Sequence, residues 1–192
     1  DLERIEGDTA VFSVFEAFNS NTLTSLDVSP LIDNSTSDIE LLVMGDLLRR
    51  SNNIDGMITV YNAYKKNNPN VLNINLPLAQ ALLVNNDFKK AKELVTPVLA
   101  RFSKNPMANY LNSLILLSEN KHDEAYSAIS LADTYGIDMP SVSLTKGLLE
   151  FNSQNYESAL SSFEKATNMA PNNELANTML GFVRNSLPRY LQ

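Results

Sequence analysis

Three columns of residues recur every 34 positions, and that period decides what this chain can fold into. Small residues stand at Gly45, Ala79, Ser113, Gly147 and Gly181. A second column holds Met57, Ala91, Ala125 and Ala159, and a third holds Ile54, Phe88, His122 and Tyr156. Turn-forming stretches keep the same phase, at 51–55, 85–88, 118–123 and 153–156. Pro69, Pro106, Pro140 and Pro171 mark the seams, because proline lacks a donor and disfavours helix in the residue before it. A segment of this length cannot bury its apolar face alone, so it stacks on copies of itself.

The clearest copy is 140–173. Leu144, Gly147, Leu148 and Phe151 recur at helical spacing, the polar Ser153-Gln154-Asn155 breaks the pattern, and Tyr156, Ala159, Leu160, Phe163 and Ala166 resume it. Small residues at Gly147 and Ala159 let two helix backbones approach, with the rings of Tyr156 and Phe163 filling the gaps. The spacing predicts an all-α chain of four repeats, 38–71, 72–105, 106–139 and 140–173, with a capping helix and tail over 174–192. Helix pairs are expected near 38–51 and 54–68, 73–86 and 87–104, 106–119 and 121–135, and 140–153 and 156–169, with a last helix at 173–187. Pro97 is expected to kink the second helix of its repeat or end it early.

Residues 1–37 stand apart, with seven acids against the single base Arg4. Val11, Phe12, Val14, Phe15 and Phe18 trace one helix face, with Asp8 or Thr9 as N-cap. The polar stretch that follows, broken by Pro30, leaves two readings: an irregular acidic cap, or a degenerate earlier repeat. The start at Asp1, without a Met or a signal pattern, reads as a piece cut from a longer chain.

Composition narrows the function. A net charge of -7 argues against a nucleic-acid partner, whose phosphates call for a basic surface. With no cysteine and one histidine, the nitrogen and sulfur ligands of a zinc site cannot be assembled, and no cofactor is expected. No apolar run of about eighteen residues exists to insert into a membrane. Neither a glycine-rich phosphate loop nor a G-x-S-x-G elbow occurs, so an enzyme is not expected. His122 reads as a ring partly packed at an inter-helix turn, against the sharper reading of a catalytic or metal-binding group.

These repeats resemble the tetratricopeptide repeat (TPR) family, whose units are 34-residue helix–turn–helix pairs. The residues that carry the likeness are Gly147, Tyr156, Ala159, Phe163, Ala166 and Pro171 in the last repeat, and Gly45, Tyr61 and Pro69 in the first. Asn109, Asn112, Ser143 and Lys146 depart from it, standing where the family usually carries large apolar residues. The resemblance implies a right-handed α-solenoid of about four and a half repeats whose concave groove is lined by first helices and takes a protein or peptide. Groove positions then map to Asp46, Arg49 and Arg50, to Gln80 and Leu83, to Tyr110, Leu114 and Leu117, and to Leu144, Leu148, Phe151 and Asn152. Arg49 and Arg50 are too few to match the TPR subclass that clamps a C-terminal carboxylate. The apolar members of the set also read as core, with Asn112, Ser143 and Lys146 turned to solvent.

A looser likeness lies within the family. Asn109, Tyr110, Leu111, Pro140, Ser141, Gly147, Tyr156 and Glu157 are similar to elements of the TPR-repeat lipoproteins that accompany bacterial exosortase and exopolysaccharide systems. That likeness implies a protein-interaction scaffold of the bacterial envelope or periplasm, in polysaccharide export or surface-protein sorting, tethered by a lipid outside this segment. A cytoplasmic TPR co-factor and a spacer within a longer solenoid, in contact with flanking repeats, are the alternatives.

Overall fold

The computed structural model describes residues 10–136 and 138–190, the side chains of 186–190 excepted, so the N-cap expected at Asp8 or Thr9 lies outside the described residues. Ten α-helices follow one another: α1 Ala10–Asn19, α2 Asp38–Arg50, α3 Ile54–Asn67, α4 Asn75–Val84, α5 Phe88–Arg101, α6 Pro106–Ser118, α7 His122–Tyr135, α8 Pro140–Asn152, α9 Tyr156–Met169 and α10 Glu174–Tyr190. Two single 3-10 turns, Leu23–Ser25 and Ser29–Leu31, separate α1 from α2. The chain divides into two compact units, Asp1–Leu94 and Val95–Gln192, with the boundary inside α5.

One turn explains why the helices pair. At Asn21, Asn52, Asn86, Asn120 and Gln154 the backbone takes positive φ, between 57° and 62°. In each case the left-handed residue donates to the carbonyl three residues back, and its successor donates to the carbonyl five back. Asn52 N–H thus reaches Arg49 O, and Asn53 N–H reaches Leu48 O. This pair of bonds closes a helix C-terminus and satisfies carbonyls that would otherwise be orphaned. Asparagine tolerates the left-handed region better than most residues, which accounts for its place there. The next residue then opens the following helix: Asn53, Asp87 and Asn155 each accept a bond from the backbone N–H three positions on. Two residues end one helix and begin the next. The turn after α1 closes in the same way, through Asn21 and Thr22.

Close approach between paired helices rests on glycine against a ring. In the N-terminal unit Gly45 of α2 lies against Tyr61 of α3, and in the C-terminal unit Gly147 of α8 lies against Phe163 of α9. A Cβ on Gly147 would sit 2.7–2.8 Å from the Phe163 ring, which is itself fully buried. In the third repeat the same positions hold Ser113 and Ile129, both fully buried, so a larger residue faces a smaller one. The volume shared across each contact is kept while its division changes.

Several boundaries and burials differ from expectation. α4 begins at Asn75, two residues late, and ends at Val84, two early; the Asn75 side chain is buried, its amide donating to Leu94 O at 2.9 Å and its Oδ1 accepting from Lys65 Nζ at 2.8 Å. α5 runs on to Arg101 rather than ending near Pro97. Pro97 and Glu93 are not buried, so water can serve the carbonyl that proline leaves without a donor. α10 continues past Leu187 to Tyr190. On α1 the buried residues are Val14 and Ala17, whereas Phe12, Phe15 and Phe18 face solvent. α1 packs mainly on α2, and Val14 and Ala17 are the side chains it buries.

Gly147→Ala is expected to lower the melting temperature. The helix propensity gained is about 1 kcal/mol, and forcing a methyl into a filled core costs about 1–3 kcal/mol. Gly181→Ala, where a Cβ would meet nothing within 4 Å, is expected to raise it. Thermal melts of the two variants against wild type check the pair. Equal shifts in one direction would contradict the close approach described.

Candidate interaction surfaces

In the N-terminal unit the charged trio sits at the end of α2, where basic residues suit the helix dipole. Asp46 holds both arginines: Arg49 Nη2 lies 2.6 Å from Oδ1 and Arg50 Nε 2.7 Å from Oδ2. The hydrogen bond from Arg49, with help from Arg50, pulls the Asp46 carboxyl below its ordinary range against a small opposing effect of burial. An incoming carboxylate would have to displace Asp46, so these arginines are poorly placed as an open anion clamp. Arg49 and Gln80 meet at a depression of about 260 Å³, whose other walls are Asn52, Ile54, Met57, Ala81 and Val84. Leu83 is half-buried beside it in sequence and does not line it.

The C-terminal unit is apolar where the first is charged. Tyr110 and Leu117 are half-buried on α6, packed against a core that includes Leu116, Ala125 and Ile129. Leu114 is half-buried as well. On α8, Leu144, Leu148 and Phe151 pack against Ala159, Phe163, Leu180 and Val183, while Asn152 is exposed. The Phe151 ring meets Tyr156 edge-on at 5.4 Å and Phe182 of α10 at 5.7 Å. Phe182 remains 48% exposed and Leu175, two helical turns earlier on the same helix, 51%. The structure therefore joins Phe151 to an exposed aromatic on α10 that the sequence reading did not include.

The polar departures do not turn to solvent as expected. Ser143 is buried, and Asn112 is half-buried. Lys146 is half-buried too, with Nζ 2.7 Å from Asp133 Oδ2. Asn109 is buried, and its amide donates to Ser103 O and Asn105 O at 2.8 and 2.9 Å. Asp133 also takes Lys165 Nζ at 2.8 Å on its other oxygen, so one carboxylate on α7 ties down α8 and α9. Burial alone would push the Asp133 carboxyl up. Hydrogen bonds from Lys146 and Lys165 outweigh it and hold the group below its ordinary value. His122 is exposed at the start of α7, not packed at the turn, although Ile54, Phe88 and Tyr156 of its column are half-buried.

The one buried carboxylate among the described residues escaped the sequence reading altogether. Glu150 is 3% exposed. It occupies the column of Leu48, Leu82 and Leu116, all buried, and that column was the signal available. Ser162 Oγ donates to Oε2 at 2.6 Å, and Tyr126 Oη donates to Oε1 at 3.3 Å. In the preceding repeat the positions of Glu150 and Ser162 hold Leu116 and Ala128. An apolar pair has been exchanged for a hydrogen-bonded one. Its donors are hydroxyls without a histidine, so the cluster lacks the base that would activate a serine. Among the described residues no group of three or more His, Cys, Asp or Glu side chains could hold a metal ion. No helix among them is long and apolar enough to cross a membrane.

The fold defines a class: helix–turn–helix repeats of the tetratricopeptide kind, in an all-α solenoid. The tetratricopeptide repeat family model matches residues 141–173, so the fourth repeat is recognisable as a TPR by sequence. Among solved structures, the chain is similar to a thermophilic TPR protein of Thermus thermophilus, at 18% identity and a TM-score of 0.65, over 80% of this chain and 84% of that one. It is also similar to MamA from Desulfovibrio magneticus RS-1, at 16% identity and a TM-score of 0.63, over 88% and 98%. The first TPR of Spaghetti (RPAP3), bound to the HSP90 peptide SRMEEVD, matches at 18% identity and a TM-score of 0.54, over 61% and 93%. No curated protein matches the chain.

The sign of the Asp133 shift gives a pH dependence. A carboxyl held below its unfolded value stabilises the fold above about pH 4, and that contribution disappears as pH falls through the lower folded value. Asp133→Asn is expected to cost roughly 1–2 kcal/mol at neutral pH and to flatten the loss of stability below about pH 4. Urea melts of both proteins at neutral and acid pH check this. Parallel acid losses would remove Asp133 as their source.

Proposed function

We propose that the chain is a non-catalytic interaction scaffold that presents first-helix faces to a protein or peptide partner. The observation that carries this is the apolar face of α8 and α10, where half-buried Leu148 and Phe151 continue into exposed Phe182 and Leu175. An aromatic that is anchored on one edge by Phe151 and open on the other suits a partner's apolar side chain, since rigid aromatics dominate binding energy at interfaces. The RPAP3 neighbour, seen with a peptide, supports the use of such a fold for this purpose. Asp46, Arg49, Arg50 and Gln80 supply the polar counterpart in the N-terminal unit. A spacer within a longer solenoid is the competing reading.

The setting inferred is the bacterial envelope, in exopolysaccharide export or surface-protein sorting, with a cytoplasmic co-factor as the alternative. The likeness of residues 109–111, 140–141, Gly147 and 156–157 to exosortase-associated TPR lipoproteins supports it. Two of those residues also have a structural role, Asn109 in its buried hydrogen bonds and Pro140 at the start of α8. Cell fractionation of the full-length protein decides between envelope and cytoplasm.

Selection of a displayed random-peptide library on the full chain tests the scaffold. Peptides with a large apolar anchor are expected to enrich, and Phe182→Ser is expected to weaken the best of them at least tenfold, with circular dichroism confirming that the variant keeps its fold. Failure of any peptide to bind saturably would favour the spacer.

A further inference from the structure

α10 is a first helix without a second. Its Gly181 stands in the column of Gly45 and Gly147, one period after the latter. At those two positions a ring from the second helix of the same repeat, Tyr61 or Phe163, lies where a Cβ would be. At Gly181 a Cβ would meet nothing within 4 Å. Glycine in mid-helix costs helix stability, and here no contact among the described residues requires it. Beside it Phe182, one period after half-buried Leu148, is exposed, and so is Leu175. Leu180 and Val183 are buried with Ala159 and Phe163 of α9. α10 is therefore seated on the preceding repeat by one side and bare on the side that α8 gives to its own second helix.

The repeat turn cannot supply the missing helix. The turns that fold a second helix back on a first place Asn52, Asn86, Asn120 and Gln154 at positive φ. One period after Gln154 stands Pro188, and a proline ring holds φ at about −65°. The turn does not close there: α10 runs through it to Tyr190, 17 residues long where α8 has 13. No helix folds back on Gly181 through that turn, so its occupant comes from another molecule. The form of the occupant follows from α9, which covers the same column one period earlier and presents Phe163 between Ala159 and Ala166, all buried. We propose that the bare side of α10 docks a helix of a partner protein, with a phenylalanine or tyrosine ring over Gly181 and small residues on either side of that ring. This rests on the scaffold reading above and deepens it, naming a helix as the partner and Gly181 as its seat.

A fluorescent peptide with the sequence of residues 155–170, α9 with its Asn155 cap, serves as the probe, because it carries Phe163 in that setting. Titrated with the full chain and read by anisotropy, it is expected to bind saturably, and its Phe163→Ala version at least tenfold more weakly. In the chain, Gly181→Ala should raise the thermal melt yet weaken the peptide severalfold. Gly181→Leu should weaken it at least tenfold with circular dichroism unchanged. A role in the fold alone would not move stability and binding in opposite directions. Equal binding by Gly181→Leu, or no saturable binding of the peptide, would overturn the proposal. Loss in Phe182→Ser without loss in Gly181→Leu would leave the scaffold standing and remove this seat. Sedimentation showing a dimer of the free chain that Gly181→Leu dissolves would make the occupant a second copy and overturn it as well.

Discussion

The helix pairs of this fold depend on ending one helix and starting the next with only three residues between them. The left-handed asparagine or glutamine closes the first helix, and its neighbour opens the second. A turn so short leaves paired helices no choice but to lie antiparallel and close, and closeness then dictates what stands at the crossing. Glycine against Tyr61 or Phe163, or serine at the place of Ser113 with isoleucine at Ile129, are separate solutions to that spacing. Buried polar groups follow from the same constraint. Where backbones approach tightly, Asn75 and Asn109 can reach carbonyls of neighbouring segments and be fully satisfied inside.

The periodic part of this design was legible in the sequence. Columns 34 residues apart located every helix pair, because identical neighbours impose identical requirements on each copy. Aperiodic features were legible only in part. Phe12, Phe15 and Phe18 look like a buried face by spacing, yet spacing shows only that residues share a side of a helix. Whether that side meets a neighbour depends on what packs there, and on α1 it is Val14 and Ala17 that are buried. Glu150 hid for the opposite reason: a lone acid on a helix reads as solvated, and only comparison with Leu48, Leu82 and Leu116 shows its place as interior. The assigned groove residues met the same difficulty. Leu144, Leu148 and Phe151 are neither free surface nor sealed core, because they pack on α9 and α10 with one edge left over.

The polar contacts also divide by what they stabilise. Asp46 with its two arginines lies within one helix and is well exposed, so it organises a surface more than it secures the fold. Asp133 joins three helices and is largely shielded, which makes it a fastening between the third and fourth repeats. Tyr126 to Glu150 spans the same boundary. The C-terminal unit is therefore bound across that seam by hydrogen bonds as well as by apolar packing.

The exchange of Leu116 and Ala128 for Glu150 and Ser162 bears on how such an array can change its length. Repeats grow and shrink by recombination between similar copies, and a crossover can fall anywhere within the period. One that falls at a proline seam carries Glu150 and Ser162 together and keeps the carboxylate supplied with its donor. One that falls between them pairs Glu with Ala, leaving a buried carboxylate short of its strongest hydrogen bond, a loss on the order of 3 kcal/mol or more. Only the stretch between Glu150 and Ser162 is thus closed to splicing, while the rest of the period stays open, and a descendant array would inherit these two residues together or not at all.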